Sequence, residues 1–174
     1  GAVGDRCLEI PLSPETVPVS YFDYFGMTGS RLLTLLTGTI GYLETEPGAT
    51  YCLSAWVRAS RDAIPLLLGV QPFGGATNLT PATAGREWQR VSVALRVVHA
   101  QVYPLIGLDW QQAGPEPVTL WVDGVQLEPG EEPTEYVPRD PVEAGVSTAR
   151  EGNVFFGGQP VRLNVAATNA SGEP

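Results

Sequence analysis

Between Val118 and Asp140 the chain reads VTLWVDGVQLEPGEEPTEYVPRD, an apolar and polar alternation that runs out into prolines. A strand turns successive side chains to opposite faces, so Leu120, Val122, Val125 and Leu127 form one buried face. Thr119, Trp121 and Asp123 fall on the other, with a kink at Gly124. Pro133, Pro138 and Pro141 follow, and because none has a backbone N–H this part cannot run as a central strand. The segment therefore reads as the closing strand of a β-sandwich followed by a tether, with a domain ending near Pro138.

The rest of the chain agrees. No window carries an apolar stripe at i, i+3, i+4 and i+7, and 20 Gly with 16 Pro in 174 residues are more than a helical protein carries. Strand patterns occur at Arg6–Leu12, Leu32–Glu44, Tyr51–Arg58, Pro65–Val70, Trp88–Val98, Val102–Trp110 and Val118–Leu127, with turn signals at EPGA and at Gly74-Gly75. This spacing predicts an all-β chain folded as a sandwich or jelly roll.

Charge narrows the function. The net charge is −9, and every basic residue is Arg. Phosphate backbones need clustered Lys or Arg to release counterions, so nucleic acid is disfavoured as a partner. The lack of Lys removes a P-loop lysine and Schiff-base chemistry. No apolar run reaches the ~18 residues of a membrane span, and no basic segment precedes an apolar core in the manner of an export signal.

Two further segments, PGATYCLSAWVRAS (Pro47–Ser60) and GREWQRVSVALRV (Gly85–Val97), stand in order before the closing strand. Together the three resemble the strands of jelly-roll carbohydrate-binding modules of the cellulase and xylanase type. The resemblance implies a jelly-roll β-sandwich over residues 1–138, whose first strand is missing, a linker over 139–151, and a C-terminal extension of one or two strands over 152–174. It makes Trp88 a packing tryptophan. It also implies a structural Ca²⁺ held by the closing-strand Asp123 with Asp5, an oxygen-only ligation that suits this cation. The tail GNVFFGGQPVRLNVAATNASGEP resembles the opening strands of another sandwich module. Two strands cannot bury enough apolar surface alone, so residues 153–168 are expected to lie against a sheet edge of this domain, a following module or a neighbouring copy.

The chain offers little for catalysis. His99 is the one histidine, and no G-x-S-x-G elbow or metal-ligand spacing accompanies it. Most carboxylates cluster in turns, where acids are ordinarily solvated. Sugar binding needs flat aromatic rings with planar polar groups beside them. On Tyr51–Arg58, Leu53, Ala55 and Val57 suit the core, which turns Trp56 and Arg58 to the other face. Trp110 with Gln111, at a strand exit, is a second candidate pair. Each tryptophan either serves as a platform or packs beneath a long loop. Cys7 and Cys52 either bridge, which would stabilise the fold by roughly 3–4 kcal/mol, or are two small buried hydrophobes in neighbouring strands.

The sequence thus predicts a non-catalytic, extracellular accessory domain, secreted or at a cell surface, that binds polysaccharide through an aromatic-bearing sheet face. The alternative is a structural β-sandwich that polymerises or links domains by strand pairing, with no sugar bound.

Overall fold

The computed structural model describes residues 1–4, 7–13, 32–34, 43–72, 78–114, 116–137, 142–147 and 161–169. The chain divides into two compact units, residues 1–134 and residues 135–174.

The first unit is a sandwich of two antiparallel sheets. One sheet has the order β1-β9-β4-β7, built from Leu8–Leu12 (β1), Val118–Pro129 (β9), Thr50–Ala59 (β4) and Gln89–Arg96 (β7). The other has the order β2-β8-β5-β6, from Leu32–Thr34 (β2), Gln101–Asp109 (β8), Ile64–Pro72 (β5) and Asn78–Ala84 (β6), with Leu43–Glu44 (β3) also paired to β8. A four-residue helix, Trp110–Ala113 (α1), connects β8 to β9. From β4 onward the chain crosses between sheets at β4–β5, β6–β7, β7–β8 and β8–β9, and strands distant in sequence become neighbours. That is the jelly-roll manner of closing a sandwich.

Alternation explains the core. Leu53, Val57, Leu120 and Val122 of the first sheet meet Leu66, Leu68, Ile106 and Leu108 of the second in one buried cluster. Each such side chain stabilises the fold by roughly 1.5–3 kcal/mol relative to exposure. Val125 and Leu127 pack against the same cluster. They reach it because β9 carries an extra residue: Ser54 is opposite Gln126 while Trp56 is opposite Asp123, and Gly124 takes φ 51° at the irregularity. The alternation expected across Gly124 is found.

Two strand expectations change. The predicted Leu32–Glu44 strand is present at its ends as β2 and β3, and residues 35–42 lie outside the described part. Strand β6 is an addition, masked in the sequence by Pro81. Among the described strands it pairs only with β5, and an edge strand accommodates a proline whose missing N–H would have no partner there. Gly69 of β5 permits its close approach, since a Cβ there would lie 1.7 Å from the Asn78 carbonyl oxygen.

The second unit holds an antiparallel pair, Val142–Ser147 (β10) and Asn164–Asn169 (β11), in register from Val142↔Asn169 to Ser147↔Asn164. The segment expected as a linker over 139–151 therefore contains a strand. Of the expected tail strand, residues 153–160 lie outside the described part, and β11 pairs with β10 of its own chain.

Candidate functional site

The outward face of the β1-β9-β4-β7 sheet collects the chain's aromatic and planar polar groups. Because Leu53, Ala55, Val57 and Ala59 of β4 point to the core, Cys52, Ser54, Trp56 and Arg58 point away from it. Register then places each in a row. Trp121 of β9 is opposite Arg58, Asp123 of β9 and Arg90 of β7 flank Trp56, and Gln126 and Ser92 flank Ser54.

Arg58 is held between rings. Its guanidinium carbon lies 4.4 Å from the Trp121 ring centroid and 5.2 Å from that of Trp88, which precedes β7. Each contact contributes about 0.5–2 kcal/mol according to its desolvation. The Trp121 indole Nε1–H donates to Glu9 Oε2 at 2.8 Å, fixing the ring from the β1 side. Trp56, Trp88 and Trp121 are all half-buried. The expectation that Trp88 is a core residue is thus corrected: it stacks on Arg58 at the outer face.

One end of this face is covered. After Pro129 the chain turns at Gly130, whose N–H donates to the Thr50 carbonyl at 2.9 Å, and residues 130–134 lie back as a strap across the sheet. Its fastening is Thr134. The Thr134 backbone N–H donates to Glu128 Oε1 at 3.0 Å and its hydroxyl to Glu128 Oε2 at 2.5 Å. Gln126 Nε2 donates both to Glu128 Oε1 at 2.7 Å and to Thr134 Oγ1 at 3.3 Å. From β7, Arg90 donates to the Thr134 carbonyl and, at 3.0 Å, to Ser54 Oγ. Cys52 and Ser54 lie under this network with no exposed surface, although they occupy outward positions. Burial works against the Glu128 carboxylate, but the hydrogen bonds from Thr134 and Gln126, with Arg90 nearby, outweigh it and hold its pKa below the ordinary value. Burial pushes the Cys52 thiol up, and Glu128 adds to the rise.

The predicted sites fare unequally. Trp56 and Arg58 share the outer face as expected, and Trp121, Trp88 and Glu9 join them. Trp110 and Gln111 lie on α1, which begins where β8 of the other sheet ends, so they come from a different element than the Trp56 and Arg58 pair. Cys7 and Cys52 are both free thiols, the first exposed and the second buried. The bridge fails on topology: β9 lies between β1 and β4, and Cys52 pairs with Glu128 while β1 starts opposite Val122. Their Cα atoms are thus separated by two strand spacings, beyond the 4.4–6.8 Å reach of roughly all disulfides.

The Asp123 carboxylate accepts two backbone N–H groups. Its Oδ2 accepts the Val3 N–H at 2.8 Å and its Oδ1 the Gly124 N–H at 2.8 Å, so it ties the N-terminal segment to the irregularity of β9. Asp5 lies outside the described residues. Among the described residues no group of three or more His, Cys, Asp or Glu side chains gathers. His99 lines a shallow pocket of about 370 Å³ with Glu44, Thr45, Ala100 and Gln101. Its carbonyl accepts the Thr45 hydroxyl at 2.8 Å, which fastens the β7–β8 connection to the segment after β3.

No protein-family model and no curated protein matches this chain. Solved structures do. One is CBM4, at 16% identity and a TM-score of 0.40, over 51% of this chain and 58% of that one. A second is the apo form of CBM1 of BiXyn10A, at 19% identity and a TM-score of 0.44, over 70% and 72%. A third contains the CBM22-1 and GH10 modules of Clostridium thermocellum endo-1,4-beta-D-xylanase 10B complexed with xylohexaose, at 15% identity and a TM-score of 0.37, over 76% of this chain and 26% of that one. This chain is similar to carbohydrate-binding modules in being a β-sandwich of antiparallel strands. Its site rests on its own residues.

Proposed function

We propose that the first unit is a non-catalytic polysaccharide-binding domain that works outside the cell within a larger secreted or surface polypeptide. The observation that carries this reading is the Arg58 guanidinium between Trp88 and Trp121, with Trp56 in the next row of the same face. Indole faces suit the apolar faces of pyranose rings, while Arg58, Arg90, Glu9 and Asp123 are the kind of groups that pair with sugar hydroxyls. The ring-held guanidinium loses little further freedom on binding, which favours affinity. In this reading Trp110 and Gln111 lie apart from the site, and Asp123 orders its N-terminal margin.

Affinity electrophoresis through glucan, xylan and mannan gels tests the proposal. The parent is retarded by at least one polymer. Trp56→Ala weakens that retention by about 1–3 kcal/mol, the usual cost of a stacked aromatic, with its melting temperature little changed. A parent retarded by none of a broad panel, or a Trp56→Ala variant retained as strongly as the parent, overturns it.

A second reading, that the chain assembles by strand pairing, is favoured by one observation in the second unit. Val161, Leu163 and Val165 are 54%, 60% and 70% exposed, on and just before β11. Contiguous exposed apolar side chains of this size mark contact surfaces.

A further inference from the structure

We propose that the strap 130–134 is a displaceable cover on the sheet face described above, opening as a local unit while the sandwich stays folded. The inference deepens the polysaccharide reading and rests on it for the identity of the ligand. The opening itself stands on geometry alone.

Three observations carry it. The hydrogen bonds described for the strap are the Gly130 bond to Thr50 at its start and the Thr134 bonds to Glu128, Gln126 and Arg90 at its end, and those at Thr134 are exposed to solvent. Gly130, Glu131, Glu132 and Thr134 are exposed and Pro133 is half-buried, so no apolar side chain of the strap enters the main core. Segments with few apolar contacts and solvent-accessible hydrogen bonds belong to the low-stability end of a fold. Beneath it lies surface that a sheet face would otherwise present: Ser54 at 0% exposure, with Gln126, Arg90 and Glu128 around it, in direct continuation of the Trp56 row.

The consequence is an occluding contact. With the strap closed, the accessible face comprises the rows of Arg58 and Trp56. With it open, the Ser54 hydroxyl, the Gln126 amide, the Arg90 guanidinium and the Glu128 carboxylate lengthen that face by polar groups that suit sugar hydroxyls. Closure and occupation of these groups exclude one another, so the strap sets how much polymer the face engages. The groups facing Glu128 are Gln126 on its own strand, Arg90 from β7, Cys52 from β4 and Thr134 from the strap, while Glu132 of the strap acts on the Cys52 thiol.

Cys52 provides the probe, because its thiol lies under the strap and Cys7 is exposed. The experiment uses the full chain in a Cys7→Ser background, with and without Thr134→Val. This change removes the Thr134 hydroxyl and leaves every charge near the thiol in place. A thiol-reactive disulfide reagent is followed at fixed pH in low urea. The Cys7-containing parent, unfolded without reductant, first titrates both thiols as free. The expected result is Cys52 labelling with a much shallower urea dependence than global unfolding, and about tenfold faster in Thr134→Val, the effect of losing charge-assisted hydrogen bonds. Retention in the gel that retards the parent should rise in the same variant. Labelling that follows global unfolding, or is equally slow in Thr134→Val, overturns the strap whatever the gel shows. Local, accelerated labelling with no retention of either protein leaves the strap standing and removes the polysaccharide reading.

Discussion

Glu128 and Arg58 use charge in opposite ways. Arg58 rests between two indoles, where its guanidinium is held by ring contacts. Glu128 accepts the hydrogen bonds that the Thr134 backbone N–H and hydroxyl donate, and it does so as a carboxylate. Its folded pKa lies below the usual 4.5, so its contribution is fully present above that value and is lost as pH falls through the lower, folded value. Cys52 labelling should accordingly speed up on acidification below about pH 4.5 relative to the rate expected from the thiolate fraction, and Glu128→Gln should abolish that acid response. A response retained in Glu128→Gln would assign it to another group. At this scale the sequence was half legible. The faces of Trp56, Arg58, Trp121 and Asp123 follow from alternation alone, because period 2 is local. The pairing of Arg58 with Trp121 does not, since it depends on a register set by the irregularity at Gly124. Cys7 and Cys52 mislead for the same reason: two strand patterns say nothing of the strand placed between them.

Elements were easier to read where burial is one-sided. Strand β9 shows its alternation plainly, and the exit into prolines marks where the sheet stops. Strand β4 is harder, because the strap buries the outward Cys52 and Ser54 as deeply as the inward Leu53 and Ala55. Strand β6 was missed because Pro81 and the polar NLTPATA pattern read as a loop, and an edge strand needs only one partner. In the second unit β10 occupies a stretch expected to be a linker, VEAGVS, which has too little apolar content to announce itself. An isolated two-stranded sheet is marginal in water. With Val165 exposed on it and Val161 and Leu163 exposed just before it, the full chain should self-associate with rising concentration, and truncation after Pro138 should return a monomer. Light scattering on both forms checks this. Monomers in both, with the tail rapidly digested by protease, would instead mark β10 and β11 as part of a further module.

The first unit combines a core of Leu, Ile and Val between two sheets with an outer face that carries three tryptophans, two arginines and three carboxylates. Fold class was legible because three ordered strand motifs agree with each other. The site was legible only in part, since half of its members come from β7, β9 and β1, whose order in the sheet no motif specifies. The chain contains 4 tryptophans, which makes the claim directly measurable. A nitrogen–proton correlation spectrum, with the four indole signals assigned by single substitutions, is followed while an oligosaccharide of the retained polymer is added. The account predicts saturable shifts at Trp56, Trp88 and Trp121 and at the Arg58 Nε–H, with Trp110 unmoved. Shifts confined to Trp110, or no indole shift under conditions where the polymer retains the protein, would contradict it.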